Sequence, residues 1–256
     1  MKLLFIGDVV GNSGCEALER RLYEIKQQHR IDVTVINGEN SAQGNGITPA
    51  SYERLIQLGA DVVTTGNHCF RRREILDTFE RSETLLRPAN FPEGVCGRGV
   101  TVIDLCPVRI AVINLMGTMY LDSLDNPFAV IDGLLKEIDT PNIFVDFHAE
   151  ATSEKKAMGF YLKGRVTGVV GTHTHVQTAD EEILGGHTAY ITDAGMTGPK
   201  DSVLGVDAAA VIEKFRYRTP VRFTESENPA FINGVVIEFD EKLGKATNIT
   251  RVNQHI

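Results

Sequence analysis

Short apolar runs that close on a glycine or a polar cluster alternate along this chain with stretches whose apolar positions recur at helical spacing. That alternation is the pattern of an α/β protein with strands at the centre and helices around them. Residues 2–6 read as a strand, 15–28 as an amphipathic helix with Leu18, Leu22 and Ile25 on one side, and 33–36 as a second strand. Thr48-Pro49 offers an N-cap followed by a proline at the first helical position; Leu55, Ile56 and Leu58 form the apolar side, and Gly59 ends the helix. A third strand follows at 61–65. Further strands fall at 99–105 and 108–114, joined at Cys106-Pro107 by a hairpin turn, and at 143–147, 165–170 and 188–192, with a helix over 128–138. Residues 234–239 alternate as an outer antiparallel strand would, so the sheet is expected to be mixed. The glycine-rich stretches 42–46 and 193–205 read as loops at the sheet's end, and residues 1–256 are expected to form one domain.

Composition narrows the class. Hydrophobic content of 42% excludes a disordered or collagen-like chain, and a net charge of −8 argues against unspecific nucleic-acid binding. The apolar run at the amino terminus ends too soon for a signal peptide or a membrane span. Cys15, Cys69, Cys96 and Cys106 show no CxxC spacing, so reduced thiols and a cytoplasmic location are expected. Cys69 beside His68 is read as a small packing residue, since nothing marks it as an activated nucleophile.

Chemistry gathers where the apolar runs end. Gly7-Asp8, Gly38-Glu39-Asn40, Gly66-Asn67-His68, the lone His148, and His173 with His175 each follow a strand, and parallel strands bring such ends into one crevice. In Gly171-Thr172-His173-Thr174-His175 the two histidines project to one side of an extended backbone, where neutral imidazoles can converge on a metal. Carboxylates, imidazoles and an amide oxygen suit manganese, iron or zinc, and the lack of a cysteine pair argues against a structural zinc. The glycines of residues 7–14 invite a phosphate-loop reading, but neither a GKS/T ending nor GxGxxG spacing is present, and Asn12 and Ser13 read as helix caps. Arg71, Arg72 and Arg73 read as a solvated charge run, and His29, His187 and His255 as surface or packing residues.

With these residues in order, the chain resembles the calcineurin-like metallophosphoesterases, whose motifs run DxH, GDxxD, GNH, a lone His and GHxH. Gly66-Asn67-His68 is intact, the 171–175 segment fits the last motif with one residue inserted, and His148 takes the lone position. Asp8-Val9-Val10 lacks the DxH histidine, and Glu39 stands where the superfamily has an aspartate. Those departures, with Asn37-Gly38-Glu39-Asn40-Ser41 and Asp193-Ala194-Gly195-Met196-Thr197-Gly198-Pro199, resemble the bacterial YmdB-like branch. The resemblance implies a sandwich of mixed β-sheets flanked by helices. It implies two metal ions, iron or manganese foremost with zinc or magnesium as alternatives, one held by Asp8, Glu39, Asn40 and His175, the other by Glu39, Asn67, His148 and His173. Glu39 would bridge, and a hydroxide between the metals would attack a phosphoester, the resemblance suggesting 2′,3′-cyclic nucleotides among the substrates.

His68 would be the general acid, the competing reading being a histidine that only orients a ligand. Expected partners are a small nucleotide or RNA-end phosphoester and no membrane, with homo-oligomerisation left open. Loops 116–126 and 192–202 are the expected source of substrate selectivity. A phosphomonoesterase would use the same constellation, and a regulatory RNA- or protein-binding chain with structural metals is the alternative from another class.

Overall fold

The computed structural model describes residues 1–256. In chain order it contains β1 (Lys2–Ile6), β2 (Asp8–Val9), α1 (Gly11–His29), β3 (Val33–Asn37), α2 (Pro49–Gln57), β4 (Val62–Thr64), α3 (Leu76–Arg81), β5 (Val100–Asp104), β6 (Arg109–Met116) and α4 (Pro127–Glu137). Then follow β7 (Asn142–His148), α5 (Thr152–Leu162), β8 (Gly168–Thr172), β9 (Glu182–Leu184), β10 (Thr188–Ile191), β11 (Met196–Pro199), α6 (Ala208–Tyr217), β12 (Ala230–Asp240) and β13 (Lys245–His255). No helix is long and apolar enough to cross a membrane.

The strands form two sheets. One is seven-stranded in the order β2-β11-β12-β1-β3-β4, with β13 paired to β12; the other is six-stranded in the order β5-β6-β7-β8-β10-β9. Side-chain alternation explains how they stack. In β1, Leu3 and Phe5 join a core that also holds Ile110, Val112 and Phe144 of the second sheet, whereas Leu4 and Ile6 face Leu18, Leu22 and Leu55 of the first helical layer. In β6, Ala111, Ile113 and Leu115 pack outward against Ile131 of α4 and Met158 of α5. The result is helices, sheet, sheet, helices. Both sheets are covered on both faces, which is why their strands read as nearly unbroken apolar runs.

β1, β3 and β4 are parallel neighbours in the first sheet, and β6, β7, β8 and β10 in the second. Their carboxyl ends meet across the seam between the sheets, and one buried carboxylate ties them there. Asp146 Oδ2 accepts from Thr64 Oγ1 at 2.5 Å and Asn37 Nδ2 at 2.9 Å, both of the first sheet, while Oδ1 accepts from Thr172 Oγ1 of the second at 2.7 Å. Burial pushes this carboxyl up to about 7, and the hydrogen bonds from Thr64, Thr172 and Asn37 pull against it.

Several local expectations hold. Thr48 caps α2 with Ser51 in a reciprocal pair, at 3.1 Å from Ser51 N to Thr48 Oγ1 and 3.0 Å from Thr48 N to Ser51 Oγ. β5 and β6 form the antiparallel hairpin about Cys106-Pro107. Others need correction. Helix α1 begins at Gly11 rather than Cys15, and Asn12 and Ser13 lie in its first turn instead of capping it. Its free N–H groups are answered from far away in sequence, by Glu225 Oε1 at 2.9 Å from Ser13 N. β12 is antiparallel as expected but is not an outer strand, since β1, β11 and β13 all pair with it. The strand expected at 165–170 begins at Gly168, and a short strand, β11, lies within the 193–205 stretch read as loop.

Replacing Asp146 with alanine should leave three buried donors without an acceptor and lower unfolding free energy in urea by on the order of 3 kcal/mol. A loss below about 0.5 kcal/mol would show that the sheets hold together without this tie.

Candidate metal centre

Every strand-end residue singled out above arrives at the same place. Asp8, Glu39 and His148 are fully or almost fully buried, and Asn40 nearly so. Asp8 Oδ2 accepts from His173 N at 3.1 Å, and its Oδ1 is buried with no hydrogen-bond partner. Around His148 Nε2 stand Asn67 Oδ1 at 2.9 Å, His173 Nδ1 at 3.0 Å and Glu39 Oε2 at 3.3 Å. Glu39, His148 and His173 alone bring their donor atoms within 4.8 Å of one another. His175 Nε2 lies beside this group, 3.3 Å from Asn40 Nδ2 and 3.9 Å from Asp8 Oδ1. Gly66 is obligatory here, because a Cβ would sit 2.3 Å from His148 Nε2 and 2.5 Å from Glu39 Oε2.

The far side of each imidazole shows which nitrogen faces the cluster. Thr172 gives its only hydroxyl proton to Asp146, so its oxygen accepts from His148 Nδ1–H at 2.9 Å. Glu150 Oε2 lies 2.9 Å from His173 Nε2, and the Leu204 carbonyl accepts from His175 Nδ1–H at 3.2 Å. His148 Nε2 and His175 Nε2 are therefore unprotonated and point inward, and His173 Nδ1 faces His148 Nε2. Two ring nitrogens 3.0 Å apart, with an amide oxygen and a carboxylate oxygen beside them, form a compact mixed set of nitrogen and oxygen donors.

Electrostatics point the same way. Burial drives His148 down to about 3, which keeps it neutral. Burial and then the Glu39 carboxylate raise Asp8 well above the usual range, whereas Glu39, despite its own burial, is held below it by hydrogen bonds from His68. Convergent imidazoles, an orphaned carboxylate oxygen and no thiolate fit a cation with mixed oxygen and nitrogen preference, such as manganese, iron or zinc. Cys69 is buried and its thiol is pushed far above the usual value, in keeping with a packing role.

His68 differs in placement. Its side chain is 30% exposed and opens on a cavity of about 390 Å³ whose floor is the cluster. Nδ1 lies 3.2 Å from Glu39 Oε1 and 3.1 Å from Asn40 Oδ1, and the Glu39 hydrogen bond raises its affinity for a proton against the effect of burial.

Several contributors are invisible in the motifs. Asp193 Oδ2 accepts from Thr174 N at 3.0 Å and Thr174 Oγ1 at 2.8 Å and pairs with the buried Lys155 Nζ at 2.6 Å. This pins the residue between two histidines held at positive φ, 102° for His173 and 65° for His175. Such backbone persists only where its surroundings enforce it. The segment containing Asp193 stands out in the sequence, but its partner Lys155 lies on α5 and carries no motif. Of the arginines, Arg72 bonds the carbonyls of Gln43, Gly44 and Asn45 and so shapes a cavity wall. The cavity's other wall comes from 204–206 and 223–225, and neither 116–126 nor 192–202 lines it, which corrects the expected source of selectivity.

This two-sheet sandwich with a strand-end cluster of carboxylates and imidazoles is the metallophosphoesterase fold. Within that class the chain belongs to the YmdB-like protein family, whose model matches residues 4–252. A 2′,3′-cyclic-nucleotide 2′-phosphodiesterase of Bacillus subtilis (strain 168) is 50% identical over 254 residues, covering 98% of this chain and 96% of that protein. The crystal structure of a hypothetical protein from Thermus thermophilus matches with a TM-score of 0.94 at 36% identity, covering 100% of this chain and 99% of that one. A novel phosphatase from Mycoplasma pneumoniae matches with a TM-score of 0.94 at 33% identity, covering 100% and 93%.

The Lys155–Asp193 pair makes a thermodynamic prediction. Asp193→Ala should cost about 3–5 kcal/mol by stranding a buried ammonium, whereas Lys155→Met combined with Asp193→Asn should cost clearly less, because no unpaired charge remains. Chemical denaturation of the three proteins measures this, and a double variant as unstable as Asp193→Ala would contradict the account.

Proposed function

We propose that this chain is a metal-dependent phosphodiesterase that hydrolyses 2′,3′-cyclic nucleotides. The observation that carries the reading is the convergence of three imidazole nitrogens on buried carboxylate and amide oxygens at the floor of an open cavity. In this assignment Asp8, Glu39, Asn40 and His175 hold one metal, and Glu39, Asn67, His148 and His173 hold the other. Asn40 contributes an oxygen where the superfamily has a histidine, which favours iron or manganese over zinc. A metal pair of this kind neutralises phosphate oxygens and lowers the pKa of an attacking water. The name of the Bacillus subtilis relative supports the cyclic diester as substrate.

The chain's own part centres on His68. It is bonded through Nδ1 to Glu39 and Asn40 and opens on the cavity, and its raised proton affinity favours the form that can give a proton to the leaving oxygen. A purely structural metal site has no use for a proton donor exposed beside its ligands.

The reading is tested by hydrolysis of 2′,3′-cyclic AMP with manganese against a chelated control. Glu39→Gln should lose both metal and turnover, since an amide cannot balance two adjacent dications; two retained metals with near-normal rates would remove Glu39 as the bridge. His68→Ala should keep its metals yet slow cyclic-nucleotide turnover by about 10²–10⁴. An aryl phosphodiester, whose phenolate leaves without much help, should lose far less. Equal losses on both substrates would mean that His68 positions groups and does not donate the proton.

A further inference from the structure

The cavity above the cluster has an uneven lining. Its floor is polar, and its lining includes the carboxylates of Glu150 and Glu225 but no lysine or arginine. Once the cluster has taken one phosphoester, the remaining space therefore offers nothing to a second phosphate and repels it. What the wall does offer is apolar. Phe223 and Leu204 both line the cavity and remain 50% and 48% exposed.

These two side chains are not on a loose flap. Val206 and Glu225 form an antiparallel bridge, Asp207 N bonds Thr224 O at 3.0 Å, and Ser226 N bonds Gly205 O at 3.0 Å, so segments 203–207 and 223–226 are laced together. Glu225 fastens one segment to the start of α1, and the Leu204 carbonyl fastens the other to His175. The apolar wall thus stands in a fixed relation to the proposed metal ligands. Isolated exposed hydrophobic residues are ordinary, and Phe160 and Phe215 are as bare elsewhere. An aromatic ring held rigidly in the wall of a pocket is a different matter, because its free face is available only to what enters that pocket.

We infer that Phe223, backed by Leu204, is a stacking platform for the base of a nucleotide substrate. This inference rests on the phosphodiesterase reading and deepens it. It assigns the pocket to one uncharged planar ring joined to one phosphoester, and so favours mononucleotides over nucleoside polyphosphates and over small phosphorylated metabolites. Stacking accepts any base, since every base has a π-face, so little discrimination among the four is expected.

The test compares 2′,3′-cyclic AMP with methyl riboside 2′,3′-cyclic phosphate, which keeps the sugar and the reacting ring but has no base. With manganese-loaded wild type, the nucleotide should show the lower KM. Phe223→Ala should reduce kcat/KM for the nucleotide about 5- to 100-fold, mostly through KM, with a much smaller change for the base-free diester. Phe223→Tyr keeps the ring and should restore the nucleotide rate. Equal effects of Phe223→Ala on both substrates, or an effect on neither, would overturn the platform while leaving the phosphodiesterase reading intact. Wild type that turns over neither substrate would overturn the phosphodiesterase reading and the platform with it.

Discussion

A row of carboxyl groups buried along the seam between the sheets is the constraint on which this architecture turns. Asp8, Glu39, Asp146 and Asp193 are all almost wholly removed from solvent, and an isolated carboxylate in such a place is costly. The fold answers them differently. Asp146 is surrounded by neutral donors from both sheets, and Asp193 by an ammonium and two groups of Thr174. Asp8 keeps an oxygen without a partner, and Glu39 accepts from the Asn40 amide and from His68. Scaffold carboxylates are satisfied within the chain, whereas in the cluster Asp8 keeps an unanswered oxygen. The same seam thus serves as the joint of the sandwich and as the mould of its site.

The inward-pointing histidines follow from this arrangement. A neutral imidazole can present either nitrogen, and the choice is made by whatever holds the other one. Thr172 and the Leu204 carbonyl make that choice for His148 and His175 in turn. Thr172 can do so only because Asp146 has already taken its proton. The tie between the sheets therefore reaches one ring directly.

Much of this is legible in the sequence. The strand ends carrying Asp8, Glu39, Asn67, His148 and His173 can be read because fully buried parallel strands give continuous apolar runs that stop abruptly at polar residues. The same continuity hides the number of sheets, since a strand covered on both faces does not reveal which layer lies on which side. β13 escapes a reading by pattern because its buried residues, Ala246, Ile249 and Val252, do not alternate. The start of α1 is misplaced because its cap comes from Glu225, and Glu150, Lys155 and Leu204 carry no signal because their importance lies in contacts with residues distant in sequence. Local chemistry is written locally; the devices that aim it are not.

The contact between Glu225 and Gly11 has a consequence of another kind. The start of a long helix attracts anions, and this one follows a glycine-bearing turn at the rim of the cavity. A side chain of the protein already occupies it, so closely that a Cβ on Gly11 would lie 2.1 Å from Glu225 Oε2. An anion entering the cavity therefore meets a helix start that the chain has already stoppered with its own carboxylate.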